Sequence, residues 1–144
     1  MLEKFSVYKP NKSGRGSAVQ FDFNPDKQCV FLEGAPQSGE KQFDWGQKVV
    51  VKLSVMELAK LLTVFEGPAK TVKLFHDSTK SLTSEGSTLK NTVVEVTKGD
   101  FGFFLKASAQ SASGVKTVSI GVAEEEAKAL SVLFRRAIVR AYGW

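Results

Sequence analysis

The chain has 144 residues, of which 42% are hydrophobic, including eleven phenylalanines. That is enough for one domain with a proper core, and it argues against wholesale disorder. A net charge of +5 makes a polyanion the first class of partner to consider. The single cysteine excludes an intrachain disulfide framework and a thiolate metal site built from one chain, and it favours a reducing compartment.

Three short strands are predicted in the first third of the chain, because apolar residues alternate there with polar ones. The alternating residues are Phe5 and Val7, then Val19, Phe21 and Phe23, then Val30 and Leu32. Between the first two strands, residues 9–16 form a glycine-rich loop with three positive charges and no negative one. This loop is either a solvated turn or a phosphate-contacting loop, but it lacks the glycine-lysine-serine/threonine ending of a P-loop. Residues 34–41 are predicted to be a second loop.

Residues 47–66 are predicted to be a strand that runs directly into a helix. Val49, Val51 and Leu53 alternate with other residues, and beyond Ser54 the apolar spacing changes to three and four. Ser54 is the expected N-cap, with Glu57 as its partner in a capping box. The dipeptide at positions 67–68, Gly-Pro, is expected to end the helix.

This strand–helix unit occurs twice. Residues 116–135 match residues 47–66 in polarity at a shift of 69, and the earlier strands match at a shift of 73. We therefore predict two ββββα repeats, about 1–67 and 68–144, within a single domain spanning 1–144. The second repeat adds a long polar loop at 78–87 and a final helix from Glu124 to about Tyr142.

Residues for catalysis are scarce. His76 and Asp77 are adjacent in a predicted strand and so point to opposite faces, which does not favour a dyad. We find no metal-ligand spacing, nucleophile elbow or dinucleotide fingerprint. The prediction is therefore that the protein is not an enzyme and uses no cofactor or metal.

Aromatic residues on the polar faces of strands point to a binding surface instead. The alternation leaves Phe31 and its counterpart Phe104 facing away from the core. Either they contact another subunit, or they stack on unpaired bases among lysines, as single-stranded nucleic acid is held without sequence readout. Further aromatics, including Phe101, lie near strand ends. The candidate nucleic-acid contacts are Lys4, Phe5, Tyr8, Lys9, Lys12, Arg15, Phe31, Phe43, Trp45, Lys48, Lys52, Lys73, Phe75, Lys80, Lys90, Phe104 and Lys106.

Several short motifs, in order and spacing, resemble the Whirly family of single-stranded-DNA-binding proteins along nearly the whole chain. They are Gly34-Ala35-Pro36, Phe43-Asp44-Trp45, Leu53-Ser54-Val55 with Glu57, Phe75-His76-Asp77 with Lys80, Ser84-Glu85-Gly86 with Lys90, Val94-Glu95-Val96, Ser108 with Gln110, and Gly143-Trp144. The resemblance implies an α+β fold of two packed antiparallel four-stranded sheets with two helices, assembled as a homotetramer. It also implies sequence-tolerant binding of single-stranded DNA in maintenance, recombination, repair or transcription. By the same motifs, Phe43 and Trp45 become candidates for base stacking, and Lys80 and Lys90 for backbone contacts.

The chain departs from this family in its first strand, where plant members carry a lysine-glycine-lysine motif linked to higher-order assembly. It also shows no organelle presequence, signal region or apolar membrane span. We therefore expect a cytoplasmic protein, away from membranes, from a bacterium or a virus. Two alternatives to DNA binding stay open, namely RNA binding or annealing by the same sheet surface and a non-nucleic-acid oligomeric scaffold.

Overall fold

The computed structural model describes residues 2–77, 91–111 and 114–144. The first repeat forms sheet 1, with antiparallel strands in the order β1-β2-β3-β5. These strands are β1 (Phe5–Lys9), β2 (Ser17–Asn24), β3 (Cys29–Gly39) and β5 (Val49–Leu53). The short strand β4 (Gln42–Phe43) pairs with the end of β3, a 3₁₀-helix (Trp45–Gln47) follows, and helix α1 (Val55–Phe65) closes the repeat.

The second repeat has the same order of elements. Sheet 2 consists of antiparallel strands in the order β6-β7-β8-β9, and helix α2 follows it. The elements are β6 (Thr71–His76), β7 (Asn91–Lys98), β8 (Gly102–Ser111), β9 (Gly114–Ala123) and α2 (Glu124–Tyr142). The predicted α+β fold with two antiparallel four-stranded sheets and a ββββα duplication is therefore confirmed.

Local sequence signals start both helices. At α1, the Ser54 hydroxyl accepts the Glu57 N–H (3.3 Å), and the Glu57 carboxylate accepts the Ser54 N–H (3.0 Å). At α2, Glu126 accepts the Ala123 N–H (2.8 Å), but alanine has no side-chain acceptor to return the bond. The second repeat therefore keeps only half of the capping box.

The core lies between the inner faces of the two sheets and beneath the helices. Leu32 and Leu105 are fully buried, one on each sheet. Phe134 of α2 is 1% exposed and meets the Phe21 ring edge-on, at 5.6 Å between centroids. Gly34 marks a close approach, since a side chain there would meet Val118 of sheet 2 at 3.1 Å.

The expected loop at 34–41 is wrong, because β3 continues to Gly39. Pro36 pairs with Ser17 of β2, and its carbonyl points the other way and accepts the Asp44 N–H (2.8 Å). The missing N–H of Pro36 lies on the same side as this carbonyl. The pairing of β3 with β5 stops at Gly34, before Pro36, so no bond between these strands is lost. The predicted polar loop at 78–87 lies outside the described residues.

Candidate nucleic-acid interface

Seven of the fifteen candidate contacts that the structure describes lie on the outer faces of the two sheets, opposite the core. On sheet 1 the outer face is formed by Ser6, Tyr8, Ala18, Gln20, Asp22, Phe31, Glu33, Ala35, Val50 and Lys52. On sheet 2 it is formed by Thr71, Lys73, Phe75, Val93, Glu95, Thr97, Phe104, Lys106, Ser108, Thr117, Ser119 and Gly121. Strand alternation sorts these residues from the buried ones.

Glu33 organises the charges on the outer face of sheet 1. Its carboxylate accepts hydrogen bonds from Gln20 (2.7 Å), Lys48 (2.8 Å) and Lys4 (3.2 Å). Partial burial raises the pKa of Glu33, but the bonds from Lys48, Gln20 and Lys4 outweigh it and hold the pKa at about 2. Glu33 is therefore ionised at neutral pH and offsets one of the two positive charges beside it.

An aromatic cover lies at one end of the same face. Tyr8, Ala18 and Ala35 are neighbours across three strands, and the Phe43 ring from β4 reaches 5.8 Å from the Tyr8 ring. Both alanines are fully buried, while Tyr8 remains 56% exposed. Trp45 follows in the 3₁₀-helix and is half-buried. This end of sheet 1 thus presents aromatic rings over small side chains.

Phe31 lies on the outer face of sheet 1, as the alternation predicts. Its ring is half-buried, and the Lys27 ammonium lies 5.5 Å from the ring centroid. Lys52 is its neighbour on β5 and Asp22 is its neighbour on β2. Sequence reasoning missed Lys27, although its position in the β2–β3 turn, four residues before Phe31, was a usable signal.

The outer face of sheet 2 carries the more exposed rings. Phe75 is 58% exposed and Phe104 is 67% exposed. Between them runs a cross-strand row in which Glu95 separates Lys73 from Lys106. This face therefore combines two accessible rings with a net positive row of side chains.

The loop at 9–16 is an ordered turn. The Gln37 side chain accepts the N–H groups of Asn11 (3.0 Å) and Gly16 (2.8 Å) and donates to the Asn11 carbonyl (3.1 Å). Of the predicted contacts in this loop, Lys12 and Arg15 are exposed. These contacts are compatible with a solvated turn and with a phosphate-contacting loop, so the phosphate-contacting role stays a prediction.

Lys9 forms an ion pair with Glu126 of α2, at 2.9 Å between Nζ and Oε1. Partial burial raises the pKa of Glu126, but bonds from the Ala123 N–H and from Lys9 outweigh it and lower the pKa. The charge of Lys9 is thus offset in the free protein.

Phe5 does not belong to either outer face. It lies in the inward row of β1 with Val7, and its ring packs against the core. Base stacking on the outer face is therefore not supported for Phe5, because its side chain points the other way. Lys80 and Lys90 lie outside the described residues.

The histidine lies apart from the interface. His76 Nε2 pairs with the carboxylate of Glu57, so it ties the end of β6 to the first turn of α1. Within residues 2–77, 91–111 and 114–144, no group of three His, Cys, Asp or Glu residues is placed to hold a metal ion. No helix in these ranges is long and apolar enough to cross a membrane.

Comparison with known proteins places this arrangement in a family. Residues 17–133 match the family model described as Whirly transcription factor. The single-stranded DNA-binding protein WHY1, chloroplastic, of Zea mays is 32% identical over 117 residues, which is 80% of this chain and 43% of that protein. WHY3, chloroplastic, of Arabidopsis thaliana is 31% identical over 118 residues, again 80% and 43%. The chain thus spans about two fifths of the length of these curated relatives.

Solved structures share the fold. The crystal structure of WHY1 from Arabidopsis thaliana superposes with a TM-score of 0.80 at 26% identity, covering 100% of this chain and 93% of that one. A structure of a guide-RNA-binding protein complex bound to a guide RNA gives a TM-score of 0.71 at 17% identity, covering 100% and 94%. The second likeness shows the fold alone.

The expectation of a cytoplasmic protein of bacterial or viral origin is wrong. The relatives in Zea mays, Arabidopsis thaliana and Solanum tuberosum are chloroplastic plant proteins, which points to a plant origin instead. The missing lysine-glycine-lysine motif does not outweigh the match over 117 residues. From the match of its model to residues 17–133 and the agreement in fold, the chain belongs to the Whirly family.

Proposed function

We propose that the protein binds single-stranded DNA with little sequence preference. One observation carries the proposal, namely that the outer face of sheet 2 exposes Phe75 and Phe104 beside Lys73 and Lys106. Every base has a flat face, so stacking on such rings tolerates any sequence and stabilises a complex by about 1–3 kcal/mol per base. The lysines add a salt-dependent attraction for the backbone.

The names of the relatives support a cellular role for this DNA binding. Curated members matched by this chain are named single-stranded DNA-binding proteins, and one matched structure is titled a plant transcriptional regulator. These names support a function in transcription regulation or in DNA maintenance, recombination or repair. Exposed rings and lysines suit holding unwound DNA, and we propose that the protein performs no covalent chemistry and needs no cofactor or membrane.

We further propose that the chain acts as a homotetramer of single-domain protomers. Helix α2 leaves Val132 and Leu133 exposed by 62% and 47%, and Met56 of α1 is 60% exposed. Apolar residues grouped on the helices suit burial against other copies. Light scattering is expected to give four times the monomer mass without DNA, and Val132→Glu is expected to lower it. A monomer at micromolar concentration would refute the assembly.

Fluorescence anisotropy with a labelled oligo-dT tests the binding. Affinity is expected to fall steeply with salt, and Phe75→Ala to weaken binding about 5- to 150-fold if its ring stacks on one base. Phe75→Tyr, which keeps the ring, is the matched control and retains affinity. Absence of binding at low salt would refute the proposal.

The same surface chemistry accommodates RNA, because base rings and phosphates are common to both polymers. Competition between matched oligo-dT and oligo-U therefore decides the preferred polymer. We expect DNA to compete better, and a clear preference for RNA would favour the RNA-binding alternative.

A further inference from the structure

An open groove lies where the β7–β8 turn meets the end of β9. Its volume is about 510 Å³, and its apolar walls are Phe101 and Phe104. Phe101 is 93% exposed at the turn, and Phe104 is 67% exposed on the outer face of sheet 2. Gly121 forms the floor beside Phe104, its neighbour on β9, and nothing lies within 4 Å of where a side chain on Gly121 would begin.

In the first repeat, lysine side chains occupy the position that is equivalent to this groove. Phe31 is the counterpart of Phe104 at the shift of 73, and Lys52 is the counterpart of Gly121 at the shift of 69. The strand pairing confirms the correspondence, since Phe31 neighbours Lys52 just as Phe104 neighbours Gly121. In the first repeat, however, Lys27 also lies over the Phe31 ring.

The two repeats therefore differ in two respects at the same structural position. The first has a lysine beside its ring and a second lysine above it, and its Phe31 is half-buried. The second has a glycine beside its ring and a second phenylalanine at the turn, and the space between them is open.

The geometry points to a nucleobase slot, in which one unpaired base stacks on Phe104 over Gly121 with Phe101 on its other side. This inference rests on the proposed function and specifies where on the protein a base is held. Lys106, two residues from Phe104 on the same face, stands beside the slot to meet the adjoining phosphate. The first-repeat position, filled by Lys27 and Lys52, meets backbone rather than base.

A base is the occupant that the chemistry of the slot favours. Bases stack on aromatic rings, and the groove offers the exposed rings of Phe101 and Phe104, with Lys9 and Asp100 also among its lining residues. The volume exceeds what one base needs, and the groove is open to solvent, as a flexible strand requires. The net charge of +5 favours a polyanion as the partner over an apolar peptide with few acidic residues.

The variant Gly121→Lys distinguishes a slot that holds a base from a surface that attracts DNA only by its positive charge. It places in the second repeat the residue that the first repeat carries, so it fills the slot while adding a positive charge. Ser38→Lys, at an exposed position in the last part of β3, is the matched control because it adds the same charge at a residue that does not line the groove. Binding is measured by anisotropy to two 20-mers, oligo-dT and an abasic phosphodiester oligomer that has no bases.

The slot predicts that wild type binds oligo-dT more tightly than the abasic oligomer. Phe104→Ala and Phe101→Ala then weaken oligo-dT binding, by about 5- to 150-fold for Phe104→Ala, and leave abasic binding within about twofold. Gly121→Lys weakens oligo-dT binding, whereas Ser38→Lys does not. Both rings are exposed, so their substitutions are expected to leave the melting temperature unchanged, which a thermal melt checks.

Other results overturn the slot. If Gly121→Lys tightens oligo-dT binding, the site is electrostatic; if the ring variants weaken both oligomers equally, the rings do not hold a base. If the ring variants change the mass measured by light scattering but not DNA affinity, the groove is a contact between copies of the chain. Failure of wild type to bind either oligomer removes the proposed function as well, whereas the preceding outcomes leave it standing.

Discussion

Replacing Glu33 by glutamine is expected to strengthen DNA binding, because it releases two lysines. In the free protein, the Glu33 carboxylate accepts bonds from Lys4 (3.2 Å) and Lys48 (2.8 Å). Its side chain is 12% exposed and its pKa is about 2, so it stays ionised under any binding conditions near neutrality. Glutamine keeps the shape and one acceptor oxygen while removing the charge.

The size of the effect follows from the two lysines. Each phosphate neutralised on a single strand contributes about 0.7 to the slope of log K against log salt, so two steepen it by about 1.4. If both binding curves converge near ~1 M salt, the variant binds about 25-fold more tightly at ~0.1 M salt. This is the upper value, reached only if each lysine gains one phosphate.

Anisotropy with oligo-dT, measured at several salt concentrations, checks this. Glu125→Gln is the matched control, because it removes the same charge from the exposed first turn of α2. The control is expected to change the slope far less than Glu33→Gln. An unchanged slope for Glu33→Gln, with an unchanged melting temperature, would show that Lys4 and Lys48 do not contact DNA.

Three further predictions concern stability and are checked by denaturant or thermal unfolding. Phe134→Ala is expected to lower the free energy of unfolding by about 3–5 kcal/mol, because the ring is buried between α2 and sheet 1; a loss below about 1 kcal/mol would contradict that packing. Ser54→Ala is expected to lower the free energy of unfolding by about 1 kcal/mol, whereas Ala123→Ser completes the second capping box and is expected to raise it. A loss of stability in both variants would contradict the claim that the capping box of α2 lacks only its side-chain acceptor. The lowered pKa of Glu33 stabilises the fold above the unfolded value of about 4.5, and this stabilisation is lost as pH falls towards about 2. Glu33→Gln is expected to flatten this part of the pH profile, and an identical profile would refute the assignment.

The elements that local sequence specifies were predictable. The change of apolar spacing at Ser54 marks the end of β5 and the start of α1, and the same change recurs at the start of α2. Strand alternation alone placed Phe31 and Phe104 on outer faces, because successive side chains point to opposite sides. The same rule places Phe5 inward with Val7, so the sequence already argued against Phe5 as a stacking residue.

What the sequence left open depends on residues far apart in the chain. Glu33 meets Lys4 and Lys48 across 29 and 15 positions, and only the register of the strands brings them together. Lys9 meets Glu126 because α2 returns beside the end of β1. Such ion pairs change which lysines are available to DNA, so a count of positive residues overstates the interface.

The groove at Gly121 is a further feature that the sequence alone did not reveal. The sequence named Phe101 and Phe104 as aromatics, but it did not show that a glycine on a neighbouring strand leaves space beside them. Comparing the two repeats position by position, Gly121 against Lys52, was a usable signal. It became informative only once the strand pairing was known.

Ultraviolet cross-linking of oligo-dT to the protein, followed by mass spectrometry of the linked peptides, tests the DNA interface most directly. We expect cross-links at the outward aromatics, with Phe75 and Phe104 foremost, and none at the buried rings of Phe103 and Phe134. Cross-links confined to the exposed end of α2, at Tyr142 or Trp144, would contradict binding on the outer faces of the sheets.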